Sequence, residues 1–415
     1  MAKEVKINHI SKIEGHAKLH VVVDGNKIKK VKLKIFEGSR YFEGLLLGKN
    51  YSEVPYVTSR ICGICSPAHS LCSTQAVEKA LGIKVSEQTK LLRDVLMYGG
   101  HIQSHVMHLY FLALPDFLGI DSMLHAIKSH KTEVERALRL KRLGNLMVNA
   151  IGGRDVHPFN SAIGGLTKLP TQKQINNLVS ELKKHRKDFV DTIELFAKMK
   201  NPQFEHKTKY YATENLQLTH GKIRNKEKKE IKLHEKYRQF FMPESRAEYV
   251  DLNREGYMVG ALARINQSPE LINKKYQKYF PSQNPFMNNL AQAVEMLYFA
   301  DKSIEMLSGL KIANEKVKTG KIKEGSFMST VEAPRGILFH KYSFDKNGKC
   351  THADIVTPTS QNLKQIEDDI KDMLPLILNK SEKEITLTIE KLIRAYDPCI
   401  SCATHFLKLD IEQIK

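Results

Sequence analysis

Arg394-Ala395-Tyr396-Asp397-Pro398-Cys399-Ile400-Ser401-Cys402-Ala403-Thr404-His405 is the stretch from which the fold can be read. Just upstream, Ser381 with Glu384 three residues later has the spacing of a capping box. Ile385, Ile389, Leu392, Ile393 and Tyr396 then recur at helical spacing and give one apolar face. Pro398 disfavours the helical conformation at Asp397, so the helix is expected to end there and hand over to a Cys-x-x-Cys loop. Two thiolates on one tight loop can reach a single metal centre. A second pair with the same spacing lies far upstream, in Arg60-Ile61-Cys62-Gly63-Ile64-Cys65-Ser66-Pro67-Ala68-His69. If the two pairs meet, they supply four thiolates.

Working outward from these loops, the first segment reads as β. Leu19, Val21 and Val23 alternate with other residues, Asp24-Gly25-Asn26 is a turn signal, and Val31, Leu33 and Ile35 alternate again, which predicts a hairpin. From Ser66 the pattern is helical. Leu91, Leu92, Val95 and Leu96 open a long helix through His101, His105, His108 and Phe111 that is expected to stop near Pro115. Further helices are expected over roughly 122–150 and 171–200, with Pro170 at the start of the second. Residues 201–255 are polar and weakly periodic and read as loops and short strands over the surface. Helical periodicity resumes across Asn284–Leu310. A second hairpin is expected from Gly336–Phe344 and Cys350–Val356 around Asp345-Lys346-Asn347-Gly348. Helices from about Gln361 and from Ser381 lead back to the second Cys pair.

The predicted fold class is therefore α+β, mainly α: a large central helical bundle with an N-terminal β-hairpin region and a second small β region. The expected divisions are a β-rich region 1–60, a helical core 61–200, an irregular surface excursion 201–283, and helices, hairpin and second Cys pair over 284–405. Residues 406–415 are expected to be a removable C-terminal extension.

Lys and Arg outnumber Asp and Glu by 65 to 46, for a net charge of +19, which raises the question of a nucleic-acid surface. The lysines are spread through nearly every helix and loop, with no RNA- or DNA-binding motif. The reading is a solvated Lys-rich surface without nucleic acid, and an acidic partner subunit is also compatible. No apolar run approaches the ~18 residues needed for a membrane span. Met1-Ala2-Lys3-Glu4-Val5-Lys6 lacks the apolar segment of a signal peptide, so a cytoplasmic location is expected. In a reducing compartment, two Cys-x-x-Cys pairs point to metal or redox chemistry rather than disulfides. Cys72 and Cys350 read as a core and a strand residue.

Two such pairs most often mean structural zinc. A compact zinc ribbon, however, keeps its pairs ~15–20 residues apart, and Cys65 and Cys399 are more than three hundred positions apart. The βαβ setting of a thioredoxin-type pair is absent. Soft thiolates also suit nickel and iron.

The residues resemble the two signature motifs of nickel-iron hydrogenase large subunits: Arg60-Ile61-Cys62-Gly63-Ile64-Cys65 with His69, and Asp397-Pro398-Cys399 with Cys402 and His405. The resemblance covers the whole chain. It includes Ile13-Glu14-Gly15-His16, Phe42-Glu43, Ser104-His105 through His108-Leu109-Tyr110 to Pro115-Asp116, Gly152-Gly153-Arg154 with His157-Pro158, Glu332-Ala333-Pro334-Arg335-Gly336, and Pro358-Thr359 with Asn362. Asn284-Pro285-Phe286 to Tyr298-Phe299 and Asp354 to Thr359 are most similar to the cytosolic bidirectional branch, and within it to alpha subunits of NADP-linked hydrogenases, also called sulfhydrogenases. The implied fold is that of the family's large subunit.

By motif, the resemblance implies that Cys62 and Cys399 are terminal nickel ligands and that Cys65 and Cys402 bridge nickel and iron. It further implies that the iron carries carbon monoxide and cyanide, with Pro358 and Thr359 hydrogen-bonding a cyanide and Arg335 above the metals. Glu43, the backbone carbonyl near Ile355, and His405 would hold magnesium or a similar ion. Glu14 would relay protons from Cys399, and Asp116 and Asp397 match carboxylates just outside the ligands. The implied partners are an iron–sulfur small subunit, flavin/NAD(P) and iron–sulfur subunits that take the electrons onward, nickel-insertion proteins and a maturation protease that removes Phe406–Lys415.

Physical logic supports the assignment. Splitting dihydrogen into proton and hydride needs an electron-poor metal and a nearby base. Four thiolates concentrate negative charge, which a buried guanidinium at Arg335 offsets. Pro67 and the helix after it put a positive helix end beside Cys65. Simpler readings stand beside these. His101, His105 and His108 share a helix face and read as core histidines rather than a zinc triad. Glu14 alone would be a turn carboxylate, and Arg335 alone a salt-bridge residue. Lys12 departs from the family's usual Arg before Ile-Glu-Gly-His. The expected function is a hydrogenase catalytic subunit, an oxidoreductase acting on hydrogen. The alternative is a non-catalytic, zinc-binding structural subunit of a related redox complex.

Overall fold

The computed structural model describes residues 2–7, 10–24, 27–38, 40–123, 125–225, 227, 229–242 and 245–404. The expectations for His405 and for the tail 406–415 lie outside these residues.

The chain opens with β1 (Ala2–Ile7), β2 (Ala17–Asp24) and β3 (Lys27–Ile35), an antiparallel sheet in that order. The expected hairpin is β2–β3, with Leu19, Val21, Leu33 and Ile35 buried on one face. The third strand is an addition, because charges at three of its six positions mask the alternation of β1. The outer edge of β3 is covered: the Leu33 N–H donates to Glu367 at 2.8 Å, and the Tyr249 hydroxyl donates to the Leu33 carbonyl at 2.6 Å.

Short helices α1 (Phe42–Leu46) and α2 (Val54–Thr58) lead to α3 (Ser66–Ala80), which is buried along almost all of its length. Next comes α4 (Glu87–Val106), started by Ser86, whose hydroxyl accepts the Thr89 N–H at 3.0 Å. It passes through a π-helical turn, Met107–Ala113, into α5 (Leu114–Leu118) and ends at Gly119. The stop expected at Pro115 therefore comes later. The π turn shifts the hydrogen-bond register, and Pro115 falls in a first helical turn, where its missing N–H costs little. Helix α6 (Lys131–Gly152) starts later than position 122, because residues 125–129 form turns. The expected helix over 171–200 is two, α7 (Gln172–Lys184) and α8 (Arg186–Ala197), broken at His185. Thr171 and Gln174 form a capping box at the start of α7.

Two-residue pairs β4 (Ser161–Ala162) with β5 (Gly165–Leu166) and β6 (Ala212–Thr213) with β7 (Ile223–Arg224) are followed by the ribbon β8 (Arg238–Phe241) with β9 (Glu248–Asp251). Helices α9 (Ala261–Gln267) and α10 (Lys274–Gln277) complete the irregular stretch. Tyr210, Tyr249, Val250, Tyr257 and Arg264 are buried, so this region differs from a surface cover and forms a layer against the core. Its polar sequence hides this because buried polar groups there are paired: His206 shares hydrogen bonds with Asp369 and Tyr210.

The long α11 (Asn288–Leu307) is central and packs against α4, α7, α8 and α9. A second antiparallel sheet follows: β10 (Gly325–Ala333), β11 (Gly336–Phe344) and β12 (Cys350–Val356). The hairpin β11–β12 matches expectation, with the Asp345 carboxylate accepting the Asn347 and Lys349 N–H groups. Strand β10 is an addition and pairs along the whole of β11. Helix α12 (Pro358–Ile377) begins at Pro358 rather than Gln361, since proline suits a first helical turn. Helix α13 (Glu382–Ala395) starts with the expected capping box at Ser381. Among the described residues no helix is long and apolar enough to cross a membrane.

The scaffold beneath the first Cys loop depends on how closely α4 and α6 approach. A Cβ on Gly144 would lie 2.8 Å from Gln103 Cγ and 2.9 Å from the Gln103 backbone nitrogen, and one on Gly99 would lie 2.6 Å from Met147 Cβ. Gly144→Ala is expected to push the helices apart and cost about 1–3 kcal/mol. Thermal melting checks this, and an unchanged melting temperature would show that the contact can relax freely.

Candidate metal centre

The first Cys loop is a turn between two helices. The Ile61 N–H returns to the Thr58 carbonyl, and the Cys65 N–H points at Cys62 Sγ at 3.3 Å. Cys65 is the N-cap of α3, and its carbonyl accepts the Ala68 and His69 N–H groups. The second loop leaves α13 through Asp397, which has the left-handed φ of 51°. Arg335 holds that conformation: its Nε–H donates to the Asp397 carbonyl at 2.6 Å and its Nη2–H to the Asp397 carboxylate at 2.8 Å. The loop ends in a 3-10 turn, Ile400–Thr404.

The two loops meet. Cys62 and Cys399 sulfurs are 3.6 Å apart, Cys65 and Cys402 3.3 Å, and Cys399 and Cys402 2.9 Å. All four sulfurs lie within 4.8 Å of one another and are buried. Thiolates bonded to one ion at about 2.3 Å can be at most about 4.6 Å apart. The spread therefore fits one ion or two adjacent ones, and the donor set suits soft metals such as nickel, iron or zinc.

Without a cation the four thiols compete for charge. Sulfur contacts from Cys399, Cys402 and Cys65 hold Cys62 well below the ordinary thiol range. Contacts with Cys402, Cys62 and Cys65 push Cys399 well above it. Burial raises Cys65. Cys402 also rises: contact with Cys399 works against the shift, and the contacts with Cys62 and Cys65 outweigh it. Three of the four thiols are thus pushed away from ionising, and a bound cation would favour their thiolate forms. Burial opposes the charge on Arg335, but Asp397 and the cysteines hold it protonated above its ordinary value. Its third contact is Nη1–H to the Ser104 hydroxyl at 3.3 Å.

Arg335 is itself positioned by a buried ion cluster. Arg264 makes a two-pronged bond to Glu295 and donates to Glu332 at 2.8 Å, and its remaining N–H groups reach the Ala333 and Pro334 carbonyls. Gly336 is required after it, because a Cβ there would sit 2.4 Å from Val259 Cγ2 at a φ of 130°.

The other residues singled out by sequence fall as follows. Glu14 lies on the second loop: its carbonyl accepts the Ile400 N–H at 3.0 Å and its carboxylate the Ser401 N–H at 2.9 Å. Thr359, in the first turn of α12 beside Pro358, accepts the Cys399 N–H at 3.0 Å. Glu43 and Ile355 come together, with the Ile355 N–H donating to the Glu43 carboxylate at 2.8 Å. Asp397 also accepts from Gln292 at 3.0 Å. Asp116 pairs with Arg394 and, at 2.5 Å, with Lys12, so the lysine keeps a cationic contact at its departure from the motif. The three histidines on one helix do not converge on an ion. His101 bonds the Met97 carbonyl, His105 bonds Glu295, and His108 bonds Gln292 and the Arg394 carbonyl. Among the described residues the four cysteines are the one cluster of metal-ligand type.

Sequence reading misses Arg40 and Gln292. Arg40 Nη2 donates to both the Ile61 and the Ser401 carbonyls, and its backbone N–H donates to Thr404, so one residue clasps both Cys loops. Its one sequence signal is its place just before Phe42-Glu43.

The nickel-dependent hydrogenase family description matches residues 40–139 and 282–405. The chain is 35% identical over 424 residues to sulfhydrogenase 1 subunit alpha of Pyrococcus furiosus, covering 98% of each chain. It is 31% identical to sulfhydrogenase 2 subunit alpha of the same organism, covering 98% of this chain and 100% of that one. A solved NAD+-reducing [NiFe]-hydrogenase in the H2-reduced state superposes with a TM-score of 0.85 at 23% identity, covering 97% of this chain and 99% of that one. The Ni-Fe-Se hydrogenase of D. vulgaris Hildenborough superposes with a TM-score of 0.80 at 22% identity, covering 98% and 100%.

Removing one partner of a buried ion pair leaves the other charge uncompensated. Arg335→Met is expected to lower the stability of the metal-free chain by about 3–5 kcal/mol. Adding Asp397→Asn is expected to recover much of that loss. A double-mutant cycle on denaturant midpoints measures the coupling, and additive effects would show that the pair does not hold the loop.

Proposed function

The chain belongs to the nickel-dependent hydrogenase family, and on that footing we propose that it is the catalytic subunit of a nickel–iron hydrogenase, interconverting dihydrogen with protons and electrons. The observation that carries the reading is the meeting of four buried cysteine sulfurs within 4.8 Å. In this reading Cys62 and Cys399 would hold nickel, and Cys65 and Cys402 would serve both nickel and iron. When bound, such metals, with carbon monoxide and cyanide on the iron, would supply an electron-poor centre able to polarise dihydrogen.

The residues of the chain do the rest. Arg335 balances sulfur charge and fixes the second loop through Asp397. The Thr359 hydroxyl and backbone N–H stand at the start of α12, placed there by Pro358, where they would donate to a cyanide. Cys399 accepts the proton and Glu14 carries it onward, which the contact of Glu14 with the Cys399–Ser401 backbone supports. Glu43, the Ile355 carbonyl and His405 hold magnesium or a similar ion. A maturation protease removes the tail after His405 once nickel-insertion proteins have loaded the site.

Electrons need an exit. The remaining cysteines, Cys72 and Cys350, are buried apart from the centre, on α3 and β12. We assign the onward path to an iron–sulfur small subunit and, beyond it, to flavin and NAD(P) modules in the cytoplasm. Tyr56 and Phe159 are more than half exposed around a cavity of about 250 Å³ that also includes Ser59 and His157. Val156, also exposed, neighbours Gly63 between the first two cysteines. An apolar patch this close to the sulfurs suits the docking of the electron-accepting subunit.

Metal analysis and infrared spectroscopy of the purified complex test the reading. Nickel and iron with metal-bound carbonyl and cyanide stretches are expected; zinc alone would establish the structural-subunit alternative instead.

Glu14→Gln keeps the shape of the side chain but cannot ionise. Hydrogen uptake with an artificial dye is expected to fall by orders of magnitude, each tenfold corresponding to ~1.4 kcal/mol of barrier. Nickel and iron contents are expected to stay normal. Wild-type uptake in the Gln variant would remove Glu14 from the proton path.

A further inference from the structure

Three buried histidines lie along α4 and the π turn that follows it, and their ring nitrogens are partnered differently. His101 Nδ1 bonds the Met97 carbonyl at 2.8 Å, and its Nε2 has no hydrogen-bond partner among the described residues. His105 Nε2 bonds the Glu295 carboxylate at 3.0 Å, and its Nδ1 has no such partner. One proton is enough for each of these rings, and burial pushes both below the ordinary histidine value. His108 is the exception. Its Nδ1 is 2.6 Å from Gln292 Oε1, and its Nε2 is 2.7 Å from the Arg394 carbonyl.

Both of those oxygens can only accept. The Arg394 carbonyl has no proton to give, and it also takes the Asp397 N–H at 2.8 Å. The Gln292 amide is oriented by Asp397: its Nε2–H donates to Asp397 Oδ2 at 3.0 Å, so Oε1 faces the ring. Asp397 in turn takes the Arg335 Nη2–H on Oδ1 at 2.8 Å, which favours a carboxylate with nothing to donate. A neutral His108 would press a bare nitrogen lone pair against one of the two oxygens. With a proton on each nitrogen both contacts are hydrogen bonds, and short, as bonds from a charged donor are.

We propose that His108 is an imidazolium in the folded chain and a positioning residue of the second Cys loop, capping the C-terminal end of α13 and holding Gln292 and Asp397 in their orientation. This goes beyond the nickel–iron reading, since it holds whichever metal the sulfurs take. The Arg394 carbonyl lies in the last turn of α13, where backbone oxygens lack intrahelical partners and the helix dipole favours a cation. His108 Nδ1 is 4.0 Å from Asp397 Oδ2, so the buried charge has a counter-charge close by. The other charged groups on the elements around it are engaged: Arg394 with Asp116 and Glu390, Glu295 with Arg264, and Arg335 with Asp397. Arg136 of α6 acts on Tyr110 of the same turn.

Two measurements on the full-length chain test this. With ring-15N histidine at about pH 8, above the ordinary histidine value of about 6.5, His108 is expected to show a proton on both nitrogens, and His101 and His105 on one each. The His108 signal is assigned by its loss in His108→Gln. If that variant does not fold, Gln292→Met, which removes the partner of Nδ1, moves the same signal and assigns it. A singly protonated His108 overturns the proposal. The second measurement is denaturant unfolding at a series of pH values. A proton kept in the fold and released on unfolding leaves its stabilisation complete below about pH 6.5 and lost progressively as pH rises. The folding constant of the wild type relative to His108→Gln is therefore expected to fall by up to about tenfold per pH unit above that value. A ratio that stays constant with pH would mean a neutral, merely packed ring and would equally overturn the proposal.

Discussion

Four sulfur atoms held within 4.8 Å in a buried site is the constraint on which the rest of the structure depends. The sulfurs come from two loops near opposite ends of the chain, and as thiolates they repel. Two devices answer that repulsion within the protein. The N-terminus of α3, capped by Cys65, places a partial positive charge beside the first pair. Arg335, fully charged and buried, stands with the second. Burial and the neighbouring sulfurs still push Cys65, Cys399 and Cys402 upward, and a bound cation would offset this.

Keeping a guanidinium buried demands partners, and the structure provides them in tiers. Arg335 bonds Asp397, Asp397 accepts from Gln292, and Gln292 meets His108, which also bonds the main chain of α13 at Arg394. From the other side Arg264, Glu295 and Glu332 form a closed cluster under the Ala333–Pro334 turn. Removing one member of such a cluster leaves a buried charge unmatched, so the polar network behaves as one unit. The helical bundle supplies the dry volume in which it operates, and the close approach of α4 and α6 at Gly99 and Gly144 keeps that volume small.

Local rules made much of this legible. The capping box at Ser381, the Asp345–Gly348 turn and the Pro398 stop each follow from chemistry within a few residues, and each is where the sequence places it. The cysteine pairs stood out by spacing, and the family motifs around them named Glu14, Arg335 and Thr359, which the fold brings to the second loop. What escaped depends on distant partners. Strand β10 has little alternation of its own and is defined by pairing with β11. The buried part of residues 201–283 is largely apolar, including Tyr211, Ile223, Leu233, Val250 and Tyr257, but exposed polar residues separate its members and leave no regular period to read. Arg40 and Gln292 sit in ordinary contexts and acquire their roles only when another segment arrives, as when Ser401 meets Arg40. The π turn before Pro115 leaves no periodic signature because it changes the register by a single residue.

The two Cys loops are held in different ways, and this bears on how the site works as a whole. The first lies between α2 and α3 and is shaped by hydrogen bonds within its own sequence neighbourhood, to which Arg40 at the Ile61 carbonyl and His157 at Ser59 and Ser66 add ties from further away. The second has a left-handed residue at Asp397 and takes its shape from afar: Glu14 from the N-terminal region, Arg335 from the β10–β11 turn, Thr359 from α12 and Arg40 from the segment before α1. Four separate parts of the fold must therefore be in place before Cys399 and Cys402 can face Cys62 and Cys65. The sulfur cluster is in that sense a product of the whole tertiary structure, whereas each Cys-x-x-Cys loop alone could do no more than offer two ligands. This also explains why the motifs around the chain, from Glu14 to Thr359, are spread over its length: each contributes a fixed point for the second loop, beyond the turn that its own hydrogen bonds close.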